Sequence, residues 1–183
     1  MSTLAGEDHD DLVESNGQSV NEKTLVAMML VAGWRVSHPE HTEQRFGFFD
    51  QMGFAGKNYP VPILRDYNRN LDAVFRFPLR SGTRVFIIPV VLISEHGVLF
   101  AVSVDDDSSP ESEERDRILA AAGWGVYRFS DRQMRQDPMR VLYELQARLW
   151  SEDWVAVDPT DESHREQADE WFRNDMNGYE YEQ

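Results

Sequence analysis

The side chains able to do chemistry fall into a few short groups. Asp105, Asp106 and Asp107 form an uninterrupted carboxylate run, and clustered carboxylate oxygens are what a hard divalent cation binds. The run lacks the spacing and the turn glycine of a calcium loop, so calcium is not expected there. Acids just past a strand more often solvate a loop. His38 and His41 flank Pro39-Glu40 with no third histidine nearby and no cysteine in the chain, so they read as parts of a polar loop and not as a zinc site. Glu95-His96 sets an acid beside a base in a turn, with His96 expected to be exposed. The stretch Gly53-Phe54-Ala55-Gly56-Lys57-Asn58 lacks the spacing and the hydroxyl of a phosphate-binding loop. No serine, histidine and aspartate stand at a diagnostic spacing, because triads assemble in space.

These groups must be carried by elements that the apolar pattern outlines. Residues 1–20 mix Asp, Glu, Ser and Gly without apolar period and read as a disordered acidic leader. Leu25, Met28, Met29 and Ala32 recur at helical spacing, with Asn21 as an expected cap and Gly33 as a stop. Trp34 to Val36 reads as extended, and His38 to Asn58 shows no clear period. Leu71 to Phe77, Val85 to Ile93 and Val98 to Val104 read as strands joined at Ser81-Gly82 and Glu95-His96-Gly97, which predicts an antiparallel meander. Ser112 to Ala122 has the composition of a helix, Val126 to Phe129 of a strand, and Ser130 opens a helical stretch with Pro138 in a first turn and Val141, Leu142, Leu145 and Leu149 on one face. The fold class is therefore α/β (α+β): helix, three-stranded meander, helix, strand, helix, in one domain over residues 21–150. Leu30-Val31-Ala32-Gly33-Trp34-Arg35-Val36 echoes Ala121-Ala122-Gly123-Trp124-Gly125-Val126, which we read as shared helix-stop chemistry and not as a repeat.

The stretch from Glu114 to Ser130, with its Arg115-Asp116 pair, Gly123-Trp124 stop and Arg128-Phe129 strand end, followed by Asp137-Pro138 and Val141-Leu142, resembles the very-short-patch-repair-like endonuclease family of the PD-(D/E)XK superfamily. The resemblance implies a restriction-endonuclease-like core and, in active members, carboxylates on adjacent strands converging on Mg²⁺ to activate a water against phosphorus. Laid on that pattern, the first acidic position falls at Pro89 and the second at Ser103, so the resemblance implies a core with degenerate catalytic positions, no catalytic residue and no cofactor. The enzyme alternative is a Mg²⁺-dependent endonuclease with a rearranged site built from Asp72, Glu95 and Asp105, with Asp105 and Glu95 as metal ligands and Glu22 as an accessory.

Residues 151–183 form an acidic, aromatic arm in which Thr160 caps a short helix from Asp161 to about Arg173. Aromatics are uncommon in solvating tails, so the arm is expected to dock on its own domain or on a partner. In a partner-binding role Trp154, Trp171 and Phe172 would anchor while Glu162, Glu166, Asp169 and Glu170 meet a basic surface. The formal charge of −15 is carried by the ends: residues 1–20 hold five acids and no Lys or Arg, and residues 150–183 hold eleven acids and two arginines. Such a chain repels phosphate backbones unless a basic face compensates. Arg76, Arg80, Arg84, Arg115, Arg117 and Arg128 are candidates for one, although surface arginines usually pair with neighbouring acids. The functional expectation is a protein-binding regulator, an acidic DNA mimic or decoy that inhibits a nucleic-acid-processing enzyme by occupying its basic site; the structural alternative is an inactive accessory subunit of a larger nucleoprotein complex. Direct nucleic-acid binding is left open. The runs Leu25–Ala32 and Val85–Ile93 are too short to span a bilayer and the acidic N-terminus is unlike a signal peptide, so a cytoplasmic protein that does not enter a membrane is expected.

Overall fold

A computed structural model of the chain describes residues 19–51, 63–104, 108–157 and 162–181. The expected leader, Gly53 to Lys57, Asp105 to Asp107 and Thr160 lie outside the described residues. The elements are α1 (Val20–Val31), β1 (Arg35–Val36), α2 (Pro39–Gln51), β2 (Ile63–Asp66), β3 (Leu71–Ser81), β4 (Arg84–Ile93), β5 (Leu99–Ser103), α3 (Pro110–Ala121), β6 (Gly125–Arg128), α4 (Asp131–Gln136), α5 (Pro138–Val157) and α6 (Glu162–Tyr181).

Both expected helix stops form the same bonded motif. Gly33, with φ of 100°, donates to the Leu30 carbonyl while Trp34 N–H reaches Met29; Gly123, with φ of 83°, donates to Ala120 while Trp124 reaches Leu119. These are paired Schellman bonds that satisfy the last carbonyls of a helix, and each needs a left-handed residue. The sequence echo is thus two copies of one stop.

The starts differ from expectation at α1. Ser19, not Asn21, caps it, accepting from Glu22 N–H at 3.1 Å. Asn21 is buried instead and donates to the Val104 carbonyl at 2.7 Å and to Asp131, tying α1 to the end of β5 and the start of α4. Ser130 opens α4 through a reciprocal capping box with Gln133.

The strands follow one another in space as in sequence, β1-β2-β3-β4-β5-β6, antiparallel until β5 and β6, which run parallel across the α3 crossover. The meander of β3, β4 and β5 is as read from the sequence. It is extended at one side by β2 and the two-residue β1, and α2 occupies ground where no period was legible. On one sheet face Leu71, Ala73, Phe75, Val90, Leu92, Phe100 and Val102 pack under α1 and α5; on the other, Val74, Val91, Ile93 and Ala101 meet Phe49 of α2 and Leu119 of α3. The result is a mixed sheet between two helical layers.

One irregularity crosses the two longest strands. Phe75 pairs with Val90 and Phe77 with Ile88, so the register does not slip, yet the intervening Arg76 has φ of 53° and stands opposite Pro89. Strand alternation would put Phe75 and Phe77 on one face. Instead Phe77, Leu79 and Ile88 join the second cluster, so the ribbon exchanges its faces at the Arg76/Pro89 step. Proline has no N–H to offer the ladder there, which makes the break tolerable.

Candidate functional site

The positions singled out by the family pattern adjoin one another. Val90 pairs with Val102, and continuing that register by one residue sets Pro89 opposite Ser103. Two acids placed there would converge. The residues present do not: Ser103 is buried and its hydroxyl accepts from Arg115 Nη2 at 2.9 Å. Arg115, only 8% exposed, also reaches the Ile87 carbonyl at 3.4 Å and Asp116 at 2.8 Å, so its guanidinium spans β4 and β5 from the side of α3. Asp116 in turn holds Arg128 at 2.7 Å, and Arg128 bonds Ser112 at 3.2 Å. A fixed cation, a hydroxyl and a proline do not suit a divalent metal.

Asp72 lies at the opposite edge of the meander. Its carboxylate is fully buried and receives Arg45 Nε at 2.7 Å, Arg65 Nη1 at 3.0 Å and His41 Nε2 at 3.0 Å. Arg65 continues to Asn70 at 2.9 Å, and Asn70 donates to Glu95 at 3.0 Å. Asp72 and Glu95 are therefore linked through Arg65 and Asn70, not by facing one shared space. The Asp72 oxygens serve protein cations. His41, expected in a loop, sits on α2, where its ring meets this carboxylate from a sequence distance that no local pattern reveals. Glu22 is buried in the first turn of α1, and no group of three acids or histidines disposed to hold a metal occurs among the described residues.

His96 is exposed, as expected, but it is held: Nδ1 lies 2.8 Å from Asp153 on α5, and its backbone N–H reaches the same carboxylate at 3.2 Å. The hydrogen bond to Asp153 and then the charge of Asp153 raise its pKa above 6.5; burial opposes them, and the charge of Glu95 adds a lesser push upward. Burial pushes the Tyr127 phenol up, with Arg148 opposing, so this ring serves packing in its neutral form.

The described residues of the expected arm are helical. α5 runs past Trp150 to Val157, and α6 extends beyond Arg173 to Tyr181. The two form a helical hairpin: Trp150 stacks on Trp171 at 5.4 Å, Arg148 lies over the Phe172 ring at 4.4 Å, and Ala168 is buried. The arm thus docks on its own domain through Phe172 and Ala168. Glu162, Glu166, Asp169 and Glu170 remain on the outside. Trp154 lies within α5. Of the arginines proposed for a basic face, Arg84 pairs with Glu114, and Arg115 and Arg128 share Asp116, whereas Arg80 and Arg117 are exposed on separate elements.

Asn70, Arg45, Arg65 and Asp153 carry no signal in sequence, since each partner lies on another element. Trp150 had a legible one: a second tryptophan in an acidic helical stretch. The fold and its sites define a mixed α/β protein with a six-stranded mixed sheet and a helical hairpin at its C-terminal side. No family model, no curated protein and no solved structure matches this chain. No helix among the described residues is long and apolar enough to cross a membrane.

Proposed function

We propose that this chain is a non-catalytic, restriction-endonuclease-like domain that works by binding a protein, in the manner of an acidic decoy that competes with nucleic acid for a basic surface. The observation that carries this reading is the Arg115 guanidinium donating to Ser103 opposite Pro89, at the two strand positions where the family resemblance calls for metal-binding carboxylates. A cation built into the protein satisfies that ground electrostatically, and a second cation would be repelled.

The acids on the outer face of α6 support the binding half. Glu162, Glu166 and Glu170 are one helical turn apart, about 6 Å, which makes a regular row of negative charge along one helix. Such a row steers a basic partner and repels nucleic acid.

The test is calorimetric titration with Mg²⁺ and Mn²⁺ beside a cleavage assay on single- and double-stranded DNA and RNA. We expect neither heat of specific binding nor cleavage. Metal-dependent cleavage that disappears in Asp105→Ala would overturn the reading in favour of an endonuclease with a rearranged site.

A further inference from the structure

The hairpin of α5 and α6 leaves a recess lined by Ala147, Trp150, Trp171 and Phe172, with Ser151, Asn174 and Asp175 as its polar members. Its two indoles stack on each other yet stay 43% and 36% exposed. Aromatic surface left beside an apolar recess is the composition of an interface core. Trp171, Asn174 and Gly178 share one flank of α6 by helical spacing, and among the described residues nothing lies within 4 Å of the place a side chain at Gly178 would begin.

Charge decides what can enter. Glu166 and Glu170 stand exposed on the adjoining face and Asp175 lies in the recess itself, while Arg148 is turned to Phe172 and Glu144. A second copy of the chain would bring a net charge of −15, and the N-terminal twenty residues carry five acids and no Lys or Arg, so both are repelled. An apolar segment studded with lysine or arginine is attracted.

We infer that the Trp150–Trp171 recess is the docking site for a basic amphipathic segment of a partner protein, whose apolar side chains lie on the indoles and whose cations meet Glu166, Glu170 and Asp175. This rests on the protein-binding reading above and assigns it a surface and a partner chemistry.

The probe is a short helical peptide of leucine and lysine, compared with its glutamate-for-lysine and serine-for-leucine counterparts. Binding to the full chain is read by tryptophan fluorescence and calorimetry. We expect the leucine–lysine peptide alone to bind, Trp171→Ala to weaken it about tenfold, Trp171→Phe to retain most of the affinity, and Glu166→Lys with Glu170→Lys to weaken binding and flatten its salt dependence. Circular dichroism confirms that α6 persists in each variant. Equal affinity for wild type and all variants, no binding at all, or concentration-dependent dimerisation abolished by Trp171→Ala would overturn the assignment. Metal-dependent cleavage would instead refute the non-catalytic reading, and it leaves the peptide result standing on its own.

Discussion

Asp72 shows how far the behaviour of a residue departs from its local pattern. In Leu71-Asp72-Ala73-Val74-Phe75 an acid between apolar residues suggests a solvated strand position, but α2 covers that face and brings His41 and Arg45 to the carboxylate. Removing the acid takes a shared carboxylate from two guanidinium groups that have little access to water. Asp72→Ala should therefore lose about 3 kcal/mol in urea unfolding, and a loss below about 1 kcal/mol would mean water already screens the cluster. His96 makes a pH-dependent prediction. Because its folded pKa is raised by Asp153, its stabilising effect is fully present below the unfolded value near 6.5 and fades as pH rises through the folded value. Asp153→Asn should lower the melting temperature at pH 6 and change it little at pH 8.5, with the His96 ring titrating closer to 6.5 by NMR. An equal effect at both pH values would assign the contact to the backbone N–H bond alone. Neither partnership was legible in sequence, since His41 and Asp72 are 31 positions apart and His96 and Asp153 are 57.

Elements were more legible than contacts, and for chemical reasons. Helix stops read well because glycine at a left-handed position has few substitutes, and strands read well where β-branched runs were bounded by turns. α2 escaped because Phe46, Gly47, Phe48 and Phe49 break any helical period, and β2 escaped because four residues after Pro60 and Pro62 are too few to show alternation. α6 was read too short because Asn174, Asn177 and Gly178 are weak helix formers, overridden by packing on α5. Two glycines separate conformation from space. Gly33→Ala meets no neighbour but must hold φ near 100°, costing about 1–2 kcal/mol. At Gly125, paired with Phe100, an added Cβ would stand 2.5 Å from the buried Phe100 ring, itself packed on Tyr127 at 4.7 Å. Gly125→Ala should cost about 1–3 kcal/mol by overpacking. Paired with Phe100→Leu it should recover part of that loss, while Gly33→Ala with Phe100→Leu should show no recovery. Additivity in the first pair would rule out the clash.

For the molecule as a whole, an excess of fifteen negative charges in 183 residues makes self-repulsion a term in stability. Raising NaCl from about 10 mM to about 150 mM shortens the screening length from about 30 Å to about 8 Å, so the melting temperature should rise. A fall would mean that ion pairs such as Arg45 with Asp72 outweigh the repulsion. Most of this charge sits at the ends, which is why its distribution said more in sequence than its size. The face exchange at Arg76 and Pro89 also bears on which substitutions these strands can accept. An acid at position 89 would replace the proline that stands across from the left-handed Arg76, and at 103 it would displace the serine that Arg115 holds. Building a metal centre on those strands would therefore take more than two acids: the buried Arg115 guanidinium would have to move as well. The path of the two strands and the buried arginine thus fix these two positions jointly.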